Sequence, residues 1–363
     1  MPTFFIIIIA LYLLGNLYIF TWGKNTLKAQ STGVKVLLSI IFWGCALSFF
    51  SSFLLRDVAM PDFLAHTMQD IGNGWLVFTL YMVILLGICD LLRLFHIRVR
   101  GAFYLATGLT LSLLGYGYYN YQHPDIKVIN IVINKPSDNE EKQLKVVAVS
   151  DIHLGYGTDK DMLQKYVKLI NDQKPDLILI GGDLIDNSVV PLYSEQMHEE
   201  LSRLNAPYGI YMVPGNHEYI SGITKSKAFV QTTPIVFLQD SIVTLPNGIQ
   251  IAGRDDRHNK NRKPIEELIH TTNPTKPVLL LDHQPYELDK TASTNVDLQF
   301  SGHTHRGQIW PMNLVTDHLF ELSYGYKQIK NTHFYVSSGL SLWGPPFRIG
   351  TDSELVVFNI TFK

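Results

Sequence analysis

The sequence predicts a mixed α/β globular domain of two packed sheets flanked by helices, preceded by a four-helix transmembrane region. Three observations carry this. Only 17% of the 363 residues are charged, against about 25% in ordinary soluble domains, and residues 1–123 hold just seven of the 30 Lys and Arg and four of the 32 Asp and Glu. That block contains four uncharged runs long enough for a bilayer, which takes about 20 residues. From Lys127 onward, β-rich apolar runs alternate with helical stripes early and crowd together late. The chain therefore reads as two parts, 1–123 and 124–363.

The four runs cover 3–22, 36–55, 71–89 and 101–121. The first does not read as a cleavable leader. Nothing basic precedes it, its apolar stretch is too long, and no small-residue cleavage site follows before Trp22 and Lys24. The loop after the first run carries Lys24, Lys28 and Lys35 and no acid; the loop after the third carries Arg93, Arg98 and Arg100 against Asp90 alone. Between the second and third runs, Arg56 stands against Asp57, Asp62 and Asp70. Basic loops stay in the cytoplasm. Both termini and the whole globular domain are then expected outside it, in a multi-pass cell-membrane protein. Asp90 and Arg93 read as an interfacial pair that snorkels, with an intramembrane functional pair as the alternative. Cys45 and Cys89 lie in apolar runs and carry no message about redox compartment. No Lys/Arg cluster suits a nucleic-acid surface, so no nucleic-acid partner is expected.

In the globular part, strands are expected at 128–134 and 144–150, separated by a polar break at 136–142. Thr158, with Asp161 three residues on, opens a helix whose apolar stripe is Met162, Leu163, Tyr166, Val167 and Ile170. A strand at 176–180, a helix at 191–204 and a strand at 208–213 follow. Further strands are expected at 235–238, 249–252, 277–281, 297–300, 333–336 and 354–360.

Five short polar blocks follow these strands, where open α/β sheets place their ligands. They hold Asp151 and His153; Gly182 and Asp183; Gly215, Asn216, His217 and Glu218; Asp282 and His283; and Gly302, His303 and His305. Taken singly, each is explained as well by a turn or a cap. Together they gather carboxylates, imidazoles and one amide oxygen, the donors of divalent first-row metals, with no cysteine for a thiolate zinc site. They exceed what one ion with open positions can use, whereas two ions about 3.5–4 Å apart that share a carboxylate would use them fully. Gly182, Gly215 and Gly302 let the main chain turn sharply and bring the next side chain close to a cation.

In this order, and on this α/β pattern, the blocks resemble the calcineurin-like metallophosphoesterase family over about residues 144–363. The ending, from Gly339 through Arg348 to Glu354, is similar to the membrane-associated bacterial branch of that family, which includes extracytoplasmic phosphoesterases and lipid-A-pathway pyrophosphatases. The resemblance implies a four-layer α/β/β/α sandwich and a metal-dependent phosphoric ester hydrolase. It implies one divalent ion on Asp151, His153, Asp183 and His305 and another on Asp183, Asn216, His283 and His303, with Asp183 bridging and Mn, Fe and Zn all open. His217 matches the family's non-ligand histidine that approaches the leaving group. Asp282 reads as an orienter of His283 or as an exposed turn acid, and His198 and His258 read as surface residues. Arg306 stands where many relatives have glycine, so phosphate contacts there are expected to differ.

The chemistry expected is hydrolysis of a phosphate ester or pyrophosphate, lipid-linked ones included, by metal-hydroxide attack with His217 assisting the leaving group. Two alternatives stay open: a non-catalytic metal-dependent binding domain on a membrane anchor, and a cytoplasm-facing lipid-precursor pyrophosphatase. A transporter is poorly served by helices whose ionisable residues are Asp90 and Arg93. Residues 122–127 form a short tether, so the lipid bilayer is an expected partner; oligomeric state is left open. Trp310, Leu319, Leu342 and Trp343 read as packing on the domain's own core or as touching a membrane interface.

Overall fold

The structure, a computed structural model, describes residues 2–54, 62–138 and 142–363. Leu55, Arg56 and Asp57, which entered the reading of the second run and its loop, lie outside the described residues. The chain divides into two compact units: residues up to Tyr119 with Gly344–Phe347, and Asn120–Trp343 with Arg348–Lys363.

Four helices come first: α1 (Pro2–Thr26), α2 (Thr32–Leu54), α3 (Asp62–Leu94) and α4 (Ala102–Gln122). Among the described residues, three are long and apolar enough to cross a membrane, over Ile6–Thr26, Thr32–Phe50 and Thr67–Leu94. The expected fourth run is also a helix, but it ends in tyrosines, glycines, Asn120 and Gln122 and is less apolar than the rest. Inside the bundle, fully buried Asn16 accepts from Trp75 Nε1 at 2.8 Å, the kind of polar contact that fixes helix pairs where water is absent. The Asp90–Arg93 pair is more than a snorkelling pair. Asp90 also accepts from Tyr18 Oη at 2.5 Å and Trp22 Nε1 at 3.2 Å, while the Arg93 guanidinium lies 4.0 Å over the Trp22 ring. These contacts tie α3 to α1.

Among the described residues the second unit holds twelve strands: β1 (Asp125–Ile133), β2 (Gln143–Val149), β3 (Leu177–Ile180), β4 (Ile210–Met212), β5 (Ile235–Phe237), β6 (Ser241–Thr244), β7 (Gln250–Gly253), β8 (Val278–Leu281), β9 (Leu298–Ser301), β10 (Gly325–Ile329), β11 (Thr332–Val336) and β12 (Glu354–Phe362). One sheet runs β1-β12-β2-β3-β4-β5 and the other β10-β11-β9-β8-β7-β6. β2 through β5 are parallel, as are β7, β8, β9 and β11, while β6 and β10 are antiparallel edges.

Period-two alternation explains the layering. Val146 and Ala148 of β2 face inward, packing with Leu177, Ile251, Leu279, Leu281 and Phe300 between the sheets. Val147 and Val149 face the other way, onto the stripe Met162, Leu163, Tyr166, Val167 and Ile170. That stripe belongs to α5 (Lys160–Asp172), and α6 (Val190–Ser194), α7 (Met197–Leu201), α8 (Asn216–Ile220) and α9 (Ile223–Val230) follow it in the chain. On the far face of the second sheet, Ile265 and Ile269 of α10 (Ile265–His270) pack on Val278 and Leu280. Leu288 of α11 (Leu288–Thr291) packs on Phe334. The order is therefore α/β/β/α, as the resemblance implied. The last helix, α12 (Met312–Leu319), buries none of its residues.

Local details depart from expectation. Asp159, not Thr158, caps α5, accepting from Met162 N at 2.9 Å, because the Thr158 hydroxyl is engaged with Ser341 Oγ at 2.8 Å. The single helix expected at 191–204 breaks at Gln196, which adopts φ 55°. The strands β6 and β10 escaped the sequence reading because neither has a buried residue or an apolar alternation.

Candidate metal centre and active site

Parallel strands end together, and their carboxyl ends deliver the polar blocks to one rim. Asp151 and His153 follow β2, Asp183 follows β3, and Asn216 and His217 open α8 after β4; His283 follows β8, and His303 and His305 follow β9. Both sheets contribute. Asp151, His153, Asp183, His303 and His305 all adopt φ between 48° and 73°, a region that residues other than glycine occupy at a cost of about 1–3 kcal/mol each. Close approach explains two glycines: a Cβ on Gly215 would overlap Asp183 Oδ1, and one on Gly302 would overlap Ser150 Oγ and Asp151 Oδ2.

Asp183 is the hub. Its Oδ1 accepts from His217 N at 2.8 Å. Its Oδ2 stands 3.1 Å from His283 Nε2 and 3.9 Å from His153 Nε2. Burial opposes its charge, yet His283, His153 and His217 hold it well below the usual carboxylate range. His283 donates from Nδ1 to Gly181 O at 2.8 Å, which turns its Nε2 toward the centre. On the other side, Asp151 accepts from His303 N with both oxygens at 3.1 Å, and its Oδ1 lies 3.3 Å from His305 Nε2. His153 Nε2 and His305 Nε2 face each other at 3.2 Å. Burial first, then neighbouring cationic groups, lower the pKa of His303 to about 4 and that of His305 well below its ordinary value, leaving both imidazoles neutral.

This arrangement fits cations. Three groups of mutually adjacent ligand atoms occur among the described residues: Asp151, His153 and His305; His153, Asp183 and His217; and Asp183, His283 and His303. Ligands about 2.0–2.2 Å from a shared ion stand about 2.8–3.6 Å apart, which matches the 3.1–3.3 Å separations, although the 3.9 Å gaps from His153 are wider. Asn216 Oδ1 and His283 Nε2 are buried with no hydrogen-bond partner, as open ligand positions would be.

Proximity alone does not separate His217 from the candidate ligands. Asp186 Oδ1 lies 3.1 Å from His217 Nδ1 and 3.5 Å from His153 Nδ1, and the Asp186 carbonyl lies 3.1 Å from the same His217 atom. Burial lowers the His217 pKa, but Asp186 and Asp183 outweigh it and raise it to about 9. Asp186 escaped the sequence reading; its signal was a second acid three residues after Asp183 on one loop. Glu218, quoted but given no role, is fully buried and accepts from Asp183 N, Ile185 N and Gly215 N at 3.0, 3.0 and 2.6 Å. It thereby staples the Asp183 loop to the start of α8.

Other expectations are corrected. Asp282 is no exposed turn acid: it is buried and paired with Arg254 Nη1 at 3.0 Å and Arg262 Nη1 at 3.3 Å. His258 is exposed as expected, stacked on Tyr219, whereas His198 is only half-exposed, with a buried Nδ1. Arg306 stacks 4.4 Å over Tyr324. Leu342 is buried, but Trp310 is 44% exposed and Trp343 54%, so these two rings do not pack in the core. The Trp343 ring lies 6.5 Å from that of His217.

Known proteins resemble the chain in sequence. Residues 144–307 match the calcineurin-like phosphoesterase family. A metallophosphoesterase from Helicobacter pylori is 36% identical over 270 residues, 72% of this chain and 71% of the relative. A transmembrane protein with a metallophosphoesterase domain from Bos taurus is 30% identical, covering 69% of this chain and 60% of its own. A solved dimetal phosphatase from Danio rerio aligns with TM-score 0.39 and 12% identity over 61% of this chain and 99% of that one. With the polar blocks gathered on one rim of two sheets, and with relatives matched across most of their length, this chain belongs to the calcineurin-like metallophosphoesterase family.

Proposed function

We propose that the chain is a membrane-bound binuclear-metal phosphoesterase acting on a phosphate ester or pyrophosphate presented at a membrane surface. The carrying observation is the convergence on Asp183, whose two oxygens have separate duties: Oδ1 is fixed by His217 N, and Oδ2 faces His283 and His153. In this reading one ion is held by Asp151, His153, Asp183 and His305, and the other by Asp183, Asn216, His283 and His303. Two such ions supply charge neutralisation of the phosphoryl oxygens and an activated water. The protein's own part is positional. Asp151 and Glu218 knit the strand-end loops together, so the donors are preset before substrate arrives. His217 carries a proton on Nε2 toward the departing oxygen, while Asp186 at Nδ1 holds the ring and favours its charged form.

Two finer readings follow from the exposed apolar residues and from the loop charges. Exposed Trp310, Leu314, Val315, Leu319 and Trp343, all in the second unit, favour an amphiphilic, lipid-linked substrate over a small soluble ester. The basic loops around Lys24, Lys28, Lys35 and Arg98, Arg100 favour a catalytic domain outside the cytoplasm. The test of the core reading is hydrolysis of an aryl phosphomonoester and phosphodiester by purified chain with Mn²⁺, before and after chelation. Asp183→Asn is expected to be the most damaging conservative change, since a neutral amide cannot bridge two cations as a carboxylate does. Full activity in that variant, or activity indifferent to strong chelation, would end the two-metal reading.

A further inference from the structure

Arg348 is fully buried, and its acceptors are four main-chain carbonyls and one hydroxyl. Nη1 donates to His305 O at 2.9 Å; Nη2 donates to Ser338 O at 2.5 Å, Ser341 O at 2.8 Å and Gly339 O at 3.2 Å; Nε donates to Ser353 Oγ at 3.3 Å. Among the described residues, no carboxylate lies within ion-pair distance of it. Burial opposes the charge of a guanidinium, and here Asp151 and Glu354 offset it only through space. Something must make a planar five-donor cation worth keeping there.

The acceptors identify it. Leu340 N donates to Ser150 O at 2.9 Å and Ser341 N to Asp151 O at 3.1 Å, so the 338–341 loop grips the main chain that carries Asp151. Arg348 grips that loop with one edge and the His305 main chain with the other. The side chains of Asp151 and His305 then meet at 3.3 Å. The closed circuit runs from Asp151 through the loop to Arg348, on to His305, and back across the candidate ion position. Both His305 and Asp151 hold strained positive φ angles, 48° and 56°, which persist only where surroundings over-determine them. The Asp183–His283–His303 side of the centre has no contact with this guanidinium among the hydrogen bonds above.

From this geometry we infer that Arg348 is a positioning residue for one ion subsite only, fixing the Asp151–His305 pair, and this rests on the two-ion reading. Lysine would keep the charge and much of the volume. It lacks the planar fork that reaches carbonyls on two sides. Arg348→Lys therefore separates charge from geometry.

The test uses the full chain in detergent, stripped of metal and titrated with Mn²⁺. Bound ions are counted by mass spectrometry, affinities are measured calorimetrically, and electron paramagnetic resonance distinguishes a coupled ion pair from a lone ion. Wild type is expected to bind two ions with a coupled signal. Failure of that arm condemns the two-ion reading and not the role of Arg348. With wild type as expected, Arg348→Lys should bind one ion at wild-type affinity and the other about 10–100-fold more weakly, the range for loss of an outer-shell partner. At limiting Mn²⁺ the coupled signal should give way to a lone-ion signal. Retention of both affinities overturns the inference. Equal loss of both ions, or a chain that no longer folds, overturns it too, because Arg348 would then serve the fold at large. Ser353→Ala, which removes only the acceptor of Nε, should keep both ions and so reports whether local disturbance alone is enough.

Discussion

Replacing Asp186 by asparagine should separate proton delivery from ion binding. In the folded protein Asp186 Oδ1 stands 3.1 Å from His217 Nδ1, with both side chains largely buried. Burial by itself would lower the His217 pKa, yet the carboxylates of Asp186 and Asp183 raise it to about 9. A general acid works only while protonated. Activity that depends on it is present below its pKa and is lost as pH rises through that value. Asparagine at 186 can still offer an oxygen to Nδ1, so the ring stays in place, but the negative charge is gone. The basic limb of the kcat/KM profile should therefore move to lower pH. Turnover on a poor leaving group should fall by about 10–100-fold, less than for loss of the acid itself, because the ring remains and only the carboxylate that favours its charged form is gone. His217→Ala sets the outer bound, about 10²–10⁴-fold for removal of an acid. The discriminating assay compares an alkyl phosphate with a nitrophenyl phosphate. A good leaving group needs little protonation, so both variants should lose far more on the alkyl ester, while metal content stays near wild type. An unchanged pH limb with equal losses on both esters would refute the proton-delivery argument, and loss of metal from His217→Ala would make His217 a ligand.

An alkaline phosphatase reporter fused after Tyr121 should be active and a cytoplasmic fluorescent reporter at the same place dark; the reverse pattern places the centre in the cytoplasm and favours a lipid-precursor pyrophosphatase. Trp310→Ser combined with Trp343→Ser should reduce hydrolysis of a lipid-linked phosphate in vesicles by several-fold or more and spare a small soluble aryl phosphate. Equal losses on the two substrates would mean that these rings support the fold, exposed as they are.

The candidate ligands were legible because each block is short, polar and placed after a strongly apolar strand, such as Leu177–Ile180 before Asp183 or Val278–Leu281 before His283. Apolar runs of that kind commit to buried strands, and parallel strands must end together, so the blocks have to converge. Edge elements were not legible, because β6 and β10 owe their pairing to β7 and β11 rather than to any pattern of their own. The cap of α5 was misplaced by one residue for a similar reason. Thr158 reads as a cap in isolation, but Ser341, 183 positions away, claims its hydroxyl.

The supporting residues form a third class, hidden for a different reason. Asp186, Glu218 and Arg348 act through main-chain groups or ring nitrogens, so their partners could not be read from the sequence even where the residues themselves stood in a quoted block. Glu218 accepts three backbone N–H groups, and Arg348 donates to four backbone carbonyls. Yet these contacts decide whether the visible ligands can sit where they do. Asp183 at φ 51° and His305 at φ 48° would relax toward ordinary backbone conformations if their peptide groups were free. Asp183 N is instead fixed by Glu218 at 3.0 Å, and His305 O by Arg348 at 2.9 Å. The polar blocks therefore name the candidate ligands, while buried charges whose partners are main-chain groups hold their backbones in conformations that are otherwise unfavourable. The prediction for Arg348→Lys follows from that division. A change that leaves every ligand side chain in the sequence should still cost one side of the centre its ion.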